Sequence, residues 1–147
     1  MSKLVRWQTP FSDAFYPTVT AAFSAPFTGK DNLKIVVGPK GIYDYPKYLI
    51  TFEQVLTFNC FEEGCAPHRE WPEGEYTEPK PCAWEWKDSP SIASYQNCGE
   101  FDENNKPFPL FHYLIFGGDY IAEVIVKKEP VIETVLEPTK LTIDFEC

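Results

Sequence analysis

The sequence predicts an α+β fold that is predominantly antiparallel β, a sandwich or curled sheet of about six or seven strands with one or two short helices. Alternating apolar and polar residues recur along the chain, and 14 prolines against eight glycines disfavour long helices. No predicted strand is followed by a helix long enough for a parallel crossover. The 147 residues contain no evident linker or repeat, so we expect a single domain spanning 1–147.

The first thirty residues contain apolar side chains without a sustained period. Ser12 is positioned to cap a short helix that carries Phe11 and Phe15 and that Pro17 would end. The next element, LKIVV at 33–37, is a short β-rich run closed by a Gly-Pro pair. We therefore expect a helix followed by a strand in this part of the chain.

The clearest predicted element is YLITFEQVLTFNC at 48–60. Its even positions are apolar except for Gln54, and its odd positions are mostly polar, which is the period of a half-buried strand. The run is long for one strand, so a bulge or bend near Gln54 is expected.

The second half of the chain predicts one helix and further strands. The stretch DSPSIASYQ predicts a short helix that Asp88 or Ser89 caps, with Pro90 in its first turn. The runs 131–136 and 141–147 form a candidate strand pair around a short turn.

Residues 110–128 predict a hairpin, because Gly117 and Gly118 supply the positive φ values of a tight turn. A turn centred on the two glycines places His112 directly opposite Glu123, and a turn centred one residue later makes them diagonal neighbours on one face. Both registers allow the two side chains to interact. They form a paired polar site, either a cross-strand ion pair or hydrogen bond or a general acid–base couple.

The charge balance narrows the classes of partner. Thirteen Lys and Arg residues oppose 22 Asp and Glu residues, for a formal net charge of -9. Nucleic acid is not expected as a partner, because phosphate binding needs a basic face; a basic protein matches this charge better. The start of the chain lacks a secretory h-region and no run is long enough to cross a bilayer, so we expect a cytoplasmic protein that does not bind membranes and has reduced thiols.

The segment 62–86 is acidic, aromatic and interrupted by prolines, which exclude a regular helix or strand over most of its length. Long ordered loops commonly carry function, and aromatic anchors contribute much of the energy of protein interfaces. The alternative is a structural flap that buries its tryptophans against the sheet. The candidate binding residues are Trp71, Tyr76, Glu70, Glu73 and Glu75.

The same segment contains zinc-type ligands in Cys65, His68 and Cys82, close to Cys60. The spacing includes no C-x-x-C pair, and Cys60 falls on the apolar positions of its predicted strand. We therefore expect no cofactor, and a zinc-stabilised domain is the alternative. A disulfide between Cys65 and Cys82 conflicts with the expected reducing compartment.

Three blocks in this order, YLITFEQVLTFNCFEE, WKDSPSIASY and FHYLIFGGDYIAEVIV, resemble small uncharacterised bacterial proteins, some of which are thought to act as immunity proteins. In those proteins a strand leads to an acidic turn, a short helix containing D-S, and an H-Y hairpin. The resemblance covers roughly residues 48–126. The insertion from Cys65 to Cys82 departs from the pattern, so no site residue is transferred.

The sequence therefore favours a non-catalytic protein-binding module with the segment 62–86 as its interaction surface. A small hydrolase-like enzyme that uses His112 and Glu123 is the alternative from a different class. The sequence has none of the common nucleotide-binding, metalloprotease or serine-hydrolase motifs.

Overall fold

The structure, a computed structural model, describes residues 2–14, 17–24, 32–39, 41, 44–62, 81–96, 109–118 and 120–137. These residues form two antiparallel sheets and one short helix, which confirms the predicted fold class. The strands are β1 (Lys3–Arg6), β2 (Thr18–Ser24), β3 (Asn32–Gly38), β4 (Lys47–Glu53), β5 (Val55–Glu62), β6 (Ala83–Lys87), β7 (Phe111–Phe116), β8 (Tyr120–Val126) and β9 (Val131–Val135), and the helix is α1 (Pro90–Gln96). Nine strands exceed the predicted six or seven.

The strands are arranged in a five-stranded sheet of order β1-β6-β7-β8-β5 and a four-stranded sheet of order β2-β3-β4-β9. The two sheets share one core of alternating aliphatic and aromatic side chains. Phe52 of the four-stranded sheet lies 6.0 Å from Tyr113 of the five-stranded sheet, measured between ring centroids, and Trp7 stacks on Tyr113 at 4.3 Å. The other buried residues of this core include Phe11, Leu33, Ile35, Ile50, Ile115 and Val124.

The predicted bend in the long central run is confirmed at Gln54, whose φ is 57°. The chain leaves the four-stranded sheet at the end of β4 and enters the five-stranded sheet at the start of β5. The pairing with β8 shifts between Val55 and Thr57, which is a bulge. The bend and the bulge together explain how one run of alternating residues contributes to two sheets.

The predicted N-terminal helix is wrong where the structure describes it. Residues 10–13 form a turn, and Thr18–Ser24 is a strand. The hydroxyl of Ser12 accepts a hydrogen bond from the Thr9 N–H at 2.9 Å and donates to the Trp7 carbonyl. The Ser12 hydroxyl therefore hydrogen-bonds to backbone groups that precede it in the chain. This local turn competes with capping of a helix that would follow Ser12.

The β7–β8 hairpin takes the second of the two predicted registers. Phe116 pairs with Ile121, and the Gly117 N–H donates to the Tyr120 carbonyl at 2.8 Å. A Cβ atom added at Gly117 would lie 2.8 Å from that carbonyl oxygen. Glycine is therefore required at 117 by the close approach of the backbone and not by the predicted positive φ.

The remaining predicted elements divide between described and undescribed residues. β3 and β9 confirm the runs 33–37 and 131–136, whereas 141–147 lies outside the described residues. Within the part that the structure describes, no helix combines the length and the apolar character needed to cross a bilayer.

Candidate functional site

The described residues contain one buried polar cluster, on the face of the five-stranded sheet that points away from the four-stranded sheet. We call this face the outer face. The cluster consists of Ser89, His112 and Glu123, which are 0%, 0% and 2% exposed. Buried polar groups must find partners inside the protein, and these three find one another. We refer to them as the Ser-His-Glu network.

The fold brings the three residues together from separate elements. In the β7–β8 hairpin Leu114 lies opposite Glu123, and His112 lies opposite Ile125, so His112 and Glu123 are diagonal neighbours on the outer face. Ser89 reaches the same place from the N-terminus of α1. The prediction that His112 and Glu123 interact is confirmed, and the sequence did not indicate Ser89 as their third partner.

The network is a continuous chain of hydrogen bonds. The Ser89 Oγ lies 2.7 Å from His112 Nδ1, and the His112 Nε2 lies 3.0 Å from Glu123 Oε2. The other oxygen of Glu123 accepts from the Asn59 amide at 3.3 Å, directly across the strand pair. With the imidazole proton on Nε2, the histidine donates to Glu123 and accepts from the Ser89 hydroxyl, so both ring nitrogens are satisfied.

Ser89 is also the N-cap of α1, and it is one of the two candidate caps, Asp88 and Ser89, that the sequence predicts. Its Oγ accepts a hydrogen bond from the Ile92 N–H at 3.2 Å, and its carbonyl accepts from the Ala93 N–H. The hydroxyl therefore caps the helix and fixes it against His112 at the same time. The Ser-His-Glu network thus joins α1 to the outer face.

The geometry resembles a hydrolytic triad but differs from one in three respects. In such a triad the serine contacts Nε2 and the acid contacts Nδ1, whereas here the two contacts are exchanged. The Ser89 oxygen is used as a helix cap. Trp86 stacks on the His112 ring at a centroid distance of 5.0 Å. A substrate therefore finds no exposed nucleophile at this network.

Apolar side chains of the outer face form a second core beside the network. Trp84 is 1% exposed and packs with Leu4, Trp86 and Leu114, with Phe116 at the margin. Alternating residues of β6 thus bury tryptophans on one face while Ala83 enters the core between the sheets. Trp84 and Trp86 are thus buried against the sheet, as the flap alternative expects, but they belong to the strand β6 rather than to a flap.

Removal of the Ser89 hydroxyl by Ser89→Ala is expected to lower the free energy of unfolding by about 1–2 kcal/mol. The variant loses the helix cap and leaves His112 Nδ1 without its buried partner. Urea unfolding followed by tryptophan fluorescence measures the change. The matched control is Ser91→Ala on the same helix, for which we expect a change within about 0.5 kcal/mol. Equal losses in both variants would contradict the dual role of Ser89.

The candidate binding residues Trp71, Tyr76, Glu70, Glu73 and Glu75 lie outside the described residues. The structure corrects the bounds of their segment, because Glu62 ends β5 and residues 83–86 belong to β6. Trp84 and Trp86 are therefore parts of the scaffold. The connection between the strands, residues 63–80 followed by the buried Pro81 and Cys82, is the part that remains as a candidate surface.

The zinc-type ligands are only partly described. Cys65 and His68 lie outside the described residues, and Cys82 is a free thiol in the core between the sheets. Its sulfur lies 3.2 Å from the Phe11 carbonyl, to which it donates, and burial raises its pKa to about 11. Zinc binds the thiolate, so this environment disfavours Cys82 as a ligand. Among the described residues, no group of three or more His, Cys, Asp or Glu side chains could hold a metal ion.

The two described thiols are expected to differ in alkylation. Cys60 is exposed on β5, whereas Cys82 is 5% exposed and almost fully protonated at pH 7.5. Iodoacetamide at that pH should modify Cys60 in the folded protein and Cys82 only after unfolding, and raising the pH toward 11 should accelerate any reaction at Cys82. Peptide mass mapping after timed quenching measures both sites. Equal rates in the folded state would contradict the buried position of Cys82.

No known protein family, curated protein or solved structure matches this chain.

Proposed function

We propose that this protein is a non-catalytic protein-binding module whose interaction surface is the connection 63–80. The observation that carries the proposal is the length of this connection relative to the distance between its ends. Its composition is acidic and aromatic, with Trp71 and Tyr76 among glutamates. Such a segment suits a basic protein partner, which its aromatic residues would anchor and its carboxylates would attract.

The two ends of the connection lie at the same end of the five-stranded sheet. Glu62 pairs with Tyr120 and Ala83 pairs with Ile115, both close to the β7–β8 turn. β7 and β8 separate β5 from β6, so the ends are about 14 Å apart at the usual strand spacing. About five extended residues span that distance. Residues 63–80 are several times longer than connectivity requires, which supports a role beyond connection.

The buried state of the Ser-His-Glu network supports the non-catalytic part of the proposal. A hydrolase-like enzyme is the second candidate function, and the alignment of Ser89, His112 and Glu123 is the observation that favours it. Catalysis requires that the nucleophile meets a substrate, and both Ser89 and His112 are 0% exposed. The binding role therefore agrees better with the geometry.

The binding role predicts that the double variant Trp71→Ala/Tyr76→Ala folds but loses its partner. Neither residue belongs to a described strand, so the urea midpoint should stay close to that of wild type. Immobilised wild type and variant are exposed to the same native lysate, and retained proteins are quantified by mass spectrometry. A protein retained by wild type should decrease at least about tenfold on the variant. An unchanged set of retained proteins would contradict the assignment of the surface to 63–80.

A charge-matched pair of variants separates specific carboxylates from overall charge. The test variant neutralises three glutamates of the connection, and the control neutralises three exposed carboxylates elsewhere. Only the test variant should lose partner at low salt. Equal losses would assign the effect to net charge. The test substitutions are Glu70→Gln, Glu73→Gln and Glu75→Gln, and the control substitutions are Asp13→Asn, Asp44→Asn and Glu53→Gln.

A further inference from the structure

The edge strand β9 and its flanks alternate carboxylates and valines. The odd-numbered residues are Glu129, Val131, Glu133, Val135 and Glu137, and the three glutamates are exposed. Within β9, Val131, Glu133 and Val135 share one face. Val135 packs there with Val36 and Leu49, on the face of the four-stranded sheet that points away from the core between the sheets. This surface is separate from the connection 63–80.

One backbone edge of β9 has no partner strand among the described residues, and we call it the free edge. Within the described part of the chain β9 pairs only with β4, so alternate N–H and C=O groups of β9 point away from the sheet. The strand is five residues long, rich in β-branched residues and without an internal proline or bulge in its pairing. Val131 is 60% exposed and Leu136 is 69% exposed. These features allow a further strand to be added.

The carboxylates on this edge are not neutralised by the described cations. The described ion pairs do not include Glu133 or Glu137. Lys47, which lies diagonal to Glu133, donates to the carbonyls of Pro39 and Gly41 at 2.9 and 3.0 Å. The edge therefore presents backbone partners together with uncompensated negative charge.

A second copy of this chain is a poor occupant for the edge. Antiparallel pairing of two β9 strands centred on Glu133 places that residue against its own copy and Glu129 against Glu137. Like charges directly opposite one another destabilise a strand pair. Glutamates on an edge strand are a known means of preventing self-association. The same charges attract a basic strand.

We propose that the free edge of β9 binds an extended segment of a basic protein, with Lys or Arg at every fourth position opposite the glutamates and an apolar residue midway between them. The main chain of the segment would pair with β9, and its alternate side chains would give the specificity. This inference does not depend on residues 63–80. It names a second surface and the chemistry of the partner strand.

The test uses a synthetic nonapeptide of sequence Lys-Thr-Val-Thr-Lys-Thr-Val-Thr-Lys, added to the isotopically labelled full chain. We expect saturable shifts in the amide resonances of 129–137 and intermolecular NOEs that define an antiparallel register. A second peptide is N-methylated at alternate residues, which removes its backbone donors and keeps its charge. The N-methylated peptide should bind at least about tenfold more weakly than the unmodified peptide, because it lacks N–H donors for the carbonyls of β9. Equal binding by both peptides, or no shift at millimolar peptide, would overturn the proposal.

Exchanging the charges of Glu133 and of the peptide lysines tests whether side chains opposite one another contribute to binding. Glu133→Lys should weaken binding of the lysine peptide about fivefold, and a peptide with Glu in place of Lys should recover affinity for that variant. Glu133 is exposed, so the variant is expected to fold, and circular dichroism checks this. The competing occupant is the chain's own segment 141–147. NOEs between that segment and β9 that persist with the peptide present would also overturn the proposal.

Discussion

Glu123→Ala is expected to lower the free energy of unfolding by about 3–5 kcal/mol. The carboxylate is 2% exposed and accepts from both His112 and Asn59. Its removal leaves the Nε2 of a fully buried imidazole without a partner and opens a cavity on the outer face. Since small domains have only about 5–15 kcal/mol of stability, this single change should remove a large fraction of it. Urea unfolding monitored by tryptophan fluorescence gives the value.

The double variant His112→Leu/Glu123→Met should recover more than half of that loss. Replacement of a buried polar pair by apolar side chains of similar volume is often close to neutral, because no unpaired group remains. Asn59 is exposed, so its amide can hydrogen-bond to water once Glu123 is gone. The control for carboxylate removal is Glu133→Ala on the edge of β9. If the double variant is as unstable as Glu123→Ala, the network stabilises the fold through the packing of its side chains and not through the pairing of its polar groups.

Trp84→Ala is expected to cost about 3–5 kcal/mol. The indole is 1% exposed and packs on Leu4, Leu114 and Trp86, at the centre of the second core on the outer face. β6, which carries Trp84, pairs with β1 on one side and β7 on the other, and this pairing limits collapse of the surrounding structure into the space. Far-UV circular dichroism in urea measures the change without relying on the deleted fluorophore.

Tyr120→Ala provides the matched control for Trp84→Ala. Tyr120 is also an aromatic residue of the five-stranded sheet but is 46% exposed, so we expect a loss below about 1 kcal/mol. A small effect of Trp84→Ala on stability, combined with loss of a partner protein, would show that the outer face is a binding surface rather than a core. That result would contradict the division between scaffold and connection.

Local patterns predicted much of the fold. The alternation in 48–60 predicted one long strand with a bulge or bend near Gln54, and the structure divides that run at Gln54 into β4 and β5. The Gly117–Gly118 pair predicted the β7–β8 hairpin, and Ser89 is one of the two residues predicted as the cap of α1. Each of these signals acts over a few neighbouring residues, so it is visible without the tertiary structure.

Other features depended on contacts that sequence spacing does not reveal. The sequence prediction places β6 in an irregular segment because it treats both tryptophans as loop anchors, although the alternation in AWEWK is a strand signal. Ser12 is predicted to cap a helix, but its hydroxyl hydrogen-bonds to the preceding residues Thr9 and Trp7. Ser89 meets His112 only because α1 packs on the outer face, and no local pattern reports that packing.

The Ser-His-Glu network and the β9 edge show two opposite uses of polar groups. In the network every polar atom is directed inward and has a partner, which stabilises the sheet and the helix. At the edge, Glu133 and Glu137 are exposed near backbone groups of β9 that no described strand pairs with. Binding of a partner requires polar groups that are not already paired within the protein. We therefore expect binding at the β9 edge and not at the Ser-His-Glu network.

The central claim, that the Ser-His-Glu network is scaffold rather than catalytic machinery, is tested most directly with an alkyl fluorophosphonate. In an active triad the serine oxygen attacks phosphorus, fluoride leaves and the histidine takes the hydroxyl proton. We predict no adduct at Ser89 when the intact folded protein is examined by mass spectrometry. A stoichiometric adduct at Ser89 that disappears in His112→Leu/Glu123→Met would contradict the account.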